Sequence, residues 1–508
     1  MMNPQERISL ERWSVAALIV VLAALLAAVA AVAFGVPLRV GMLVALVLAL
    51  SLCAWIARRL PREWDGIRRK HRVWSILFLV VALAAVARTA GVAWFMADGT
   101  HPQAAVYTFD PFYTAHSCYS GYWQAAELAR AGTADVYDTN LYRGWIGRFE
   151  VDEFLYVPQF LILPRFGLAL GGDFYRVRAA WFALEAATLA AAALALCLWI
   201  GGAAGRRVAL VLPALWVSTP ILATLQIGNY QLAAIALAML AMVSFDRNRP
   251  ALGGALLAMA GFKFFPGLLC VYLVAAKRWR ALAWTIAFSL LFCGATYLWM
   301  GGQPFKAFVR SDMPRLISGR AWAALLEDPD VAAINDSVPG LVLKLKILGV
   351  KGMSHLLEVT VAWSWTVMLV ILTGLAGRRS PQLSRLERAC CWLSLLTLAS
   401  FRAPFVPDIY GLIAPLWLLT LVAVSAKLTW RNGIGLVVAW IALNAVVPFE
   451  NTPLAGKYRL MVSTASQLVA IGLCLYVLVA YIRRPQETEE GAVVLAAASG
   501  GCNQEQLA

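Results

Sequence analysis

The sequence predicts an all-α polytopic membrane protein, a bundle of about 12–14 transmembrane helices with two large extracytoplasmic loops. Of its 508 residues, 61% are hydrophobic and only 14% are charged, and the mean hydropathy is +0.72. Soluble domains carry about a quarter charged residues. Apolar runs of about 20 residues, the length that a spanning helix needs, recur along the chain. Short clusters of Lys and Arg separate these runs, as they do in cytoplasmic loops.

The net charge of +15 follows from this topology, because the basic residues concentrate between the apolar runs. We therefore expect membrane lipids around the protein and no nucleic-acid partner. Most of the nine cysteines lie inside apolar runs, and no CxxC pair occurs. This placement argues against a disulfide framework.

Residues 1–72 predict a helical hairpin, with runs at about 13–35 and 38–58, followed by a basic cytoplasmic loop. Because that loop is cytoplasmic, the next helix runs outward and the polar stretch 96–176 becomes outer loop 1. The part of this loop near residues 155–170 is apolar but contains two prolines, so we interpret it as an interfacial or re-entrant segment.

The transmembrane module 73–300 continues with several helices, and residues 251–276 within it have basic flanks on both sides. Two short helices with a break at Gly261–Gly267 satisfy this pattern, since Gly and Pro at membrane depth are tolerated where backbone lines a cavity. Outer loop 2 follows at 301–357, C-terminal transmembrane helices at 358–482, and a disordered cytoplasmic tail at 483–508. Both termini are predicted to be cytoplasmic.

Polar residues that suit chemistry gather in the outer loops and in two breaks between apolar runs. Acidic residues are concentrated in the two outer loops, whereas the inner loops are mostly basic. Ionisable groups at membrane depth are costly and mark functional sites. Lys263 lies in the first break and Arg402 in the second, and either cation could hold a phosphate. Asp408, also in the second break, could orient Arg402 or a sugar hydroxyl.

Asp110, in the segment YTFDPFY, follows closely on the third helix. A carboxylate held at a helix end can act as a general base that deprotonates a hydroxyl. The alternative is a structural Asp-Pro turn. Asp152 and Glu153 are the fallback carboxylates.

No metal site and no cofactor are predicted. The four histidines, among them His116, are scattered without the spacing of metal ligands. No Walker loop, dinucleotide-binding loop or nucleophile elbow occurs. A lone DxD, Asp328–Asp330, is too common a pattern to indicate a nucleotide-sugar site.

Four segments, in this order, resemble the polyprenyl-phosphate-sugar-dependent glycosyltransferases of family 87, which are mannosyltransferase-like membrane proteins with the GT-C fold. The segments are FDPFY with GYWQAAELARAGTADVYD, FLYVPQFLILPRF, IGNYQLAAIALAML with GALLAMAGFKFFPGLLCVYLVAAKRWRAL, and FRAPFVPDIYGLIAPLWLL. Together they cover about residues 73–430. The resemblance implies a GT-C-like catalytic module and an Asp base in the first outer loop, with no metal or nucleotide.

The chain departs from the family pattern around this base. The spacing from Asp110 to Gly132 is longer than is usual in the family, and Cys118 stands where strict spacing would place the Asp. Asp110 is nevertheless the predicted catalytic base. The candidate residues for binding acceptor and sugar are Tyr113, Tyr122, Trp123, Tyr156, Asn229, Asp408 and Tyr410.

The sequence therefore predicts an inverting membrane glycosyltransferase of the inner (plasma) membrane, with its active site on the periplasmic side. It would move a hexose or pentose from a polyprenyl-phosphate sugar donor, held by Lys263 and Arg402, to a lipid or glycan acceptor. The alternative is a secondary transporter or a flippase of a lipid-linked or amphipathic substrate. A transporter would need polar residues at the bilayer midplane and repeat symmetry, whereas here the polar residues lie mainly in the outer loops.

Overall fold

The computed structural model describes seven stretches of the chain: residues 8–33, 35–60, 72–169, 171–322, 328–426, 429–446 and 456–483. Helices dominate all of them, which confirms the all-α prediction. Residues 61–71 of the predicted basic loop 58–72, and residues 484–508 of the predicted tail 483–508, lie outside the described residues.

In the first half of the chain, most of the described residues belong to helices. Its α-helices are Leu10–Ala33, Leu38–Arg59, Arg72–Ala97, Pro111–Ala115, Cys118–Arg130, Ile162–Ala169, Phe174–Ile200, Gly202–Trp216, Thr219–Ile227, Gln231–Asp246 and Pro250–Ala260.

The second half continues in the same way, with a cluster of short helices between residues 300 and 350. Its α-helices are Leu269–Ala275, Trp279–Met300, Gln303–Ala307, Met313–Ser318, Pro329–Ile334, Val338–Ile347, His355–Arg379, Arg385–Ser400, Asp408–Gly411, Ile413–Ser425, Trp430–Leu443 and Lys457–Ile482.

Several of these helices can cross a membrane, as the prediction of a polytopic protein requires. Among the described residues, six are long and apolar enough, and the pair Gly202–Trp216 and Thr219–Ile227, bent by 61°, makes a seventh if it is one span. This number, counted over the described residues, is below the predicted 12–14, and several further apolar segments form helices of only 10–17 residues. Proline contributes to the breaks, since it removes a backbone donor and clashes with the preceding turn.

The predicted break after residue 260 is present. The helix Pro250–Ala260 ends at Gly261, the chain passes through a 3₁₀ turn at Phe265–Leu268, and the helix Leu269–Ala275 follows. The region of residues 155–170 forms a 3₁₀ turn and an eight-residue helix. Because eight helical residues extend only about 12 Å, this segment is too short to span a bilayer.

A small three-stranded sheet organises the polar region between residues 97 and 174. Its strands are β1 (His116–Ser117), β2 (Trp145–Ile146) and β3 (Phe149–Val151), with β3 in the centre. Strand β1 pairs in parallel with β3, so that His116 lies opposite Glu150 and Ser117 opposite Val151. This pairing brings together two segments that are distant in sequence, and both contribute residues to one cavity.

Two polar clusters hold the helices together, the first partly buried and the second completely buried. Asp246 accepts hydrogen bonds from Arg278 and from Trp199, both at 3.0 Å, and also pairs with Arg388. This cluster joins four helices through one carboxylate. Shared pairing of this kind satisfies charges that would otherwise be costly to bury.

The second cluster is centred on Lys344, which is completely buried. Its ammonium donates to Asp336 at 3.0 Å, to Ser463 at 2.8 Å and to Gln467 at 3.2 Å. The Gln467 amide in turn donates to the backbone carbonyls of Asp336 and Ser337. These contacts fix the segment 335–344 to the helix Lys457–Ile482.

Candidate active site

A cavity among the polar segments has a volume of about 790 Å³. Four parts of the chain line it: residues 112–156, 229–268, 313–334 and 366–410. Its titratable lining residues are His116, Cys118, Asp152, Glu153, Lys263, Arg402 and Asp408, together with Tyr113, Tyr122, Tyr156 and Tyr410. Most of the remaining wall is apolar. A space of this size, apolar with a few convergent polar groups, is typical of a ligand site.

Lys263 lies in the helix break and points its ammonium at two aromatic rings. The Nζ atom is 4.8 Å from the centre of the Tyr156 ring and 5.8 Å from that of Tyr410. Cation–π contacts of this kind stabilise a partly desolvated ammonium. Within the described parts of the chain, this ammonium forms no ion pair with a carboxylate. Its charge is therefore available to an anionic ligand.

A chain of polar contacts runs along the wall beside Lys263. The Tyr122 hydroxyl donates to the Tyr156 hydroxyl at 2.6 Å, and the Tyr156 hydroxyl is 3.4 Å from the Asn229 Oδ1 atom. The Asn229 amide donates to the Cys118 sulfur at 3.3 Å, and the Tyr410 hydroxyl is 3.3 Å from the same sulfur. Four residues predicted to bind acceptor or sugar therefore meet in one network.

The acidic wall is built by the small sheet. Asp152 follows β3 directly, and its Oδ2 atom lies 3.6 Å from the His116 Nε2 atom. Its Oδ1 atom accepts a hydrogen bond from the Glu153 backbone at 2.9 Å. The Ser120 hydroxyl accepts from the Asp152 backbone N–H, also at 2.9 Å. The Asp152 carboxylate thus lies at the cavity on a fixed backbone.

The structure places Asp110 differently from the sequence prediction. Its side chain is completely buried, accepts a hydrogen bond from the Phe112 backbone and caps the short helix Pro111–Ala115. Asp110 does not line the cavity, whereas both fallback carboxylates do. The local reason is that an Asp before Pro at a helix start favours capping. Its role as base stays a prediction that this placement does not support.

Of the other predicted site residues, most line the cavity and Trp123 does not. Trp123 packs edge-on against Phe174 and does not line the cavity, so its contacts are those of a packing residue. Tyr113 lines the cavity, and its backbone carbonyl accepts from Gln226. Arg402 reaches the cavity while its guanidinium bonds to Thr366. Asp408, which is almost completely buried, accepts from the Ile409 backbone at 2.7 Å.

Gly121 controls the position of Asp152. A Cβ atom at this glycine would lie 2.5 Å from the Asp152 carbonyl oxygen, so the two backbones could not keep their approach. We expect Gly121→Ala to lower both the apparent melting temperature and the activity of the site. Gly294→Ala is the matched control, because a Cβ there meets no atom within 4 Å. Wild-type stability and activity in Gly121→Ala would contradict this assignment.

Arg315 connects a short helix of the segment 301–357 to the acidic wall. It pairs with Glu153 at 2.7 Å and with Asp312 at 3.5 Å. Burial raises the pKa of Glu153 in spite of the Arg315 pairing, and burial raises the pKa of Asp312 to about 7. An unfolded chain would ionise the same Asp near pH 4.

The shift of Asp312 predicts a pH-dependent stability. Between about pH 4 and 7 the folded state retains a proton that the unfolded state releases, so the free energy of unfolding falls as pH rises through this window. Asp312→Asn removes this titration, and we expect it to be more stable than wild type by about 2–4 kcal/mol above pH 7 and little different near pH 4. The test is to measure the apparent melting temperatures of wild type and Asp312→Asn between about pH 4 and 7. Glu150→Gln, which changes an exposed carboxylate, is the control. If the difference in melting temperature between Asp312→Asn and wild type does not increase with pH, the raised pKa of Asp312 is contradicted.

Sequence reasoning did not identify His116 and Cys118 as site residues. They lie two positions apart in the sequence, and Asp152 is brought to them only by the β1–β3 pairing. The His116 Nε2, Cys118 Sγ and an Asp152 carboxylate oxygen all lie within 4.8 Å of one another. The only sequence signal was the presence of Cys118 at the position where strict spacing would place the family's Asp.

Comparison with known proteins supports part of the resemblance. Residues 154–400, just under half of the chain, match the model of glycosyltransferase family 87. The match contains Tyr156, Asn229 and Lys263 but ends before Arg402 and begins after Asp152. No curated protein and no solved structure matches the chain. The match indicates a glycosyltransferase, and the apolar helices indicate a multi-pass membrane protein.

Proposed function

Because residues 154–400 resemble glycosyltransferase family 87, we propose that this membrane protein transfers a sugar from a polyprenyl-phosphate donor to a lipid or glycan acceptor. The observation that carries the proposal is that one cavity contains a cation in an aromatic setting, Lys263, and a carboxylate next to a histidine, Asp152. The Lys263 ammonium can bind a phosphate, and the Asp152 carboxylate can accept the proton of an acceptor hydroxyl. We place the cavity on the periplasmic side, as the distribution of charged loops predicts.

The donor would lie with its phosphate at Lys263. This ammonium has no carboxylate partner among the described residues, and Arg402 lines the same cavity. The apolar lining around the residues Leu268, Leu316 and Trp322 suits the hydrocarbon of the carrier. Fixed cations stabilise the charge that develops on a departing phosphate, so the reaction needs no strong general acid.

The acceptor hydroxyl would lie at Asp152. In a single displacement, the acceptor oxygen attacks the anomeric carbon, the bond from that carbon to the phosphate oxygen breaks, and the proton passes to the Asp152 carboxylate. The products are the glycosylated acceptor with inverted configuration and the polyprenyl phosphate. The His116 Nε2 atom, at 3.6 Å from the Asp152 Oδ2 atom, would help to orient the carboxylate toward the acceptor.

This assignment moves the base from Asp110 to Asp152. Asp110 caps a helix and lies outside the cavity lining, whereas Asp152 faces the cavity and is held by two backbone hydrogen bonds. The transporter alternative gains no support from the described residues, since the polar groups of the cavity belong largely to segments between the long helices.

The direct test is an assay of sugar transfer with purified protein. Radiolabelled polyprenyl-phosphate sugars, hexoses and pentoses in parallel, are incubated with the protein and a membrane extract as the source of acceptors. We expect label from one of them to move into a lipid or glycan product of inverted configuration. If no sugar is transferred, and instead the intact donor crosses the bilayer of reconstituted vesicles, the transporter alternative replaces the proposal.

A further inference from the structure

Three side chains at the cavity bring one candidate ligand atom each within 4.8 Å of one another, and two of the separations match those of metal ligands. The His116 Nε2 atom lies 3.8 Å from the Cys118 sulfur and 3.6 Å from the Asp152 Oδ2 atom. A tetrahedral ion with bonds of about 2.0–2.3 Å separates its ligands by roughly 3.3–3.8 Å. We infer that His116, Cys118 and Asp152 form a binding site for one transition-metal ion of the Zn²⁺ class, although the sequence predicted no metal site.

The backbone holds these three residues in place. His116 begins strand β1, and Cys118 begins the helix Cys118–Arg130 that follows the strand directly. The register of β1 with β3 brings Asp152 beside Cys118. Ser120 bonds to the backbone of Asp152 and to that of Glu150, which fixes the end of β3 against the following helix. A rigid scaffold of this kind lowers the cost of assembling a metal site.

Cysteine binds metals as the thiolate. Burial raises the pKa of the Cys118 thiol, so the metal ion itself would have to displace the proton, and two hydrogen bonds to the sulfur would favour the thiolate that results. The Asn229 amide donates to the sulfur, and the Tyr410 hydroxyl is close enough to do the same. The His116 ring stacks on the Phe112 ring, with centres 4.6 Å apart and planes at 14°. Partners that orient the ligands in this way are typical of metal sites.

The ligand set selects the kind of ion. One sulfur, one imidazole nitrogen and one carboxylate oxygen suit Zn²⁺ or its analogue Co²⁺, whereas Mg²⁺ and Ca²⁺ prefer oxygen ligands alone. All three residues line the cavity, so the fourth position of a tetrahedral ion would face it. The nearby charge of Lys263 lowers the affinity for a cation, and the thiolate and carboxylate together offset that charge.

An occupied site has a consequence that rests on the proposed function. An ion bound through Asp152 Oδ2 takes the oxygen that would accept the proton of the acceptor hydroxyl. Zn²⁺ should therefore slow sugar transfer reversibly, and a chelator should restore it. Metal binding itself requires no activity, so the two claims can be tested separately.

The decisive experiment is a titration of the purified, metal-stripped full chain with CoCl₂, followed by absorption spectroscopy. We expect one Co²⁺ per chain, a thiolate-to-cobalt charge-transfer band and the visible bands of tetrahedral Co²⁺, all removed by excess Zn²⁺. Cys118→Ser should lose the charge-transfer band, and His116→Ala should lower the affinity at least tenfold. The controls Cys270→Ser and His355→Ala change a cysteine and a histidine outside this cluster and should leave the spectrum unchanged.

Two results would overturn the site: no thiolate–cobalt band in the wild type, or a band that persists in Cys118→Ser. If Cys118→Ser does not fold, as judged by gel filtration, Cys118→Ala and the His116→Ala spectrum decide the question. If Zn²⁺ binds but the rate of sugar transfer is unchanged, the claim that the ion inhibits transfer is wrong, and the metal site itself stands. A protein that binds Co²⁺ but transfers no sugar would leave the site intact and refute the proposed function.

Discussion

Asp152→Asn is expected to lower the rate of sugar transfer by about 10²–10⁴-fold, the usual contribution of a positioned general base. Asn has almost the same shape as Asp and can still accept the hydrogen bond from the Glu153 backbone, so the fold around β3 should persist. What Asn lacks is the ability to take a proton from the acceptor. Initial rates at saturating donor, together with an unchanged melting temperature, measure this effect.

Two variants separate Asp152 from the other carboxylates. Asp110→Asn should retain a rate close to wild type, because Asn also caps helix starts well. Glu153→Gln should lower the rate less than Asp152→Asn, because Glu153 is paired with Arg315. If Asp110→Asn abolishes transfer in a folded protein while Asp152→Asn does not, the original prediction of Asp110 as base is correct and our reassignment is wrong.

Lys263→Met is expected to raise the KM for the polyprenyl-phosphate donor by about 10–100-fold, since a hydrogen bond to a charged group contributes about 1.5–3 kcal/mol. The rate at saturating donor should fall as well, because the cation also stabilises the departing phosphate. Met preserves most of the volume of the side chain against the Tyr156 ring, so packing changes little. Steady-state kinetics over a range of donor concentrations give both quantities.

The matched control for Lys263 is Lys346→Met, which removes an exposed cation from the helix Val338–Ile347. It should leave the donor KM unchanged. Lys263→Arg should restore part of the donor affinity, because a cation is again present in the break. A donor KM that is the same in wild type and Lys263→Met would show that Lys263 only anchors the break.

Much of the fold follows from hydropathy. The long helices coincide with apolar runs, and the break at Gly261–Gly267 was expected from glycine, proline and two basic flanks. Among the described residues, six or seven helices have the length and hydropathy of a span, whereas 12–14 were predicted for the chain. An apolar run does not reveal where a helix bends, as the pair around residue 217 does. Hydropathy measures the preference for lipid and carries little information about helix direction.

The candidate site could be predicted in part. Lys263 was recognisable as a cation among apolar residues, and Tyr156, Asn229 and Tyr410 through the family resemblance. His116 and Cys118 were missed because strands of two and three residues leave no periodic pattern, and their pairing joins distant segments. Asp110 was preferred over Asp152 because it directly follows a helix, yet that position suits a cap as well as a base.

The buried ammonium of Lys344 has a consequence for shortened forms of this protein. Its partners Ser463 and Gln467 both belong to the helix Lys457–Ile482, and Val331 and Ile334, shortly before its third partner Asp336, line the cavity. A chain that stops before residue 457 would leave this ammonium with Asp336 but without its other two hydrogen-bond partners, and would loosen one wall of the cavity. The helix Lys457–Ile482 therefore supports the cavity, and affinity tags are best attached beyond it.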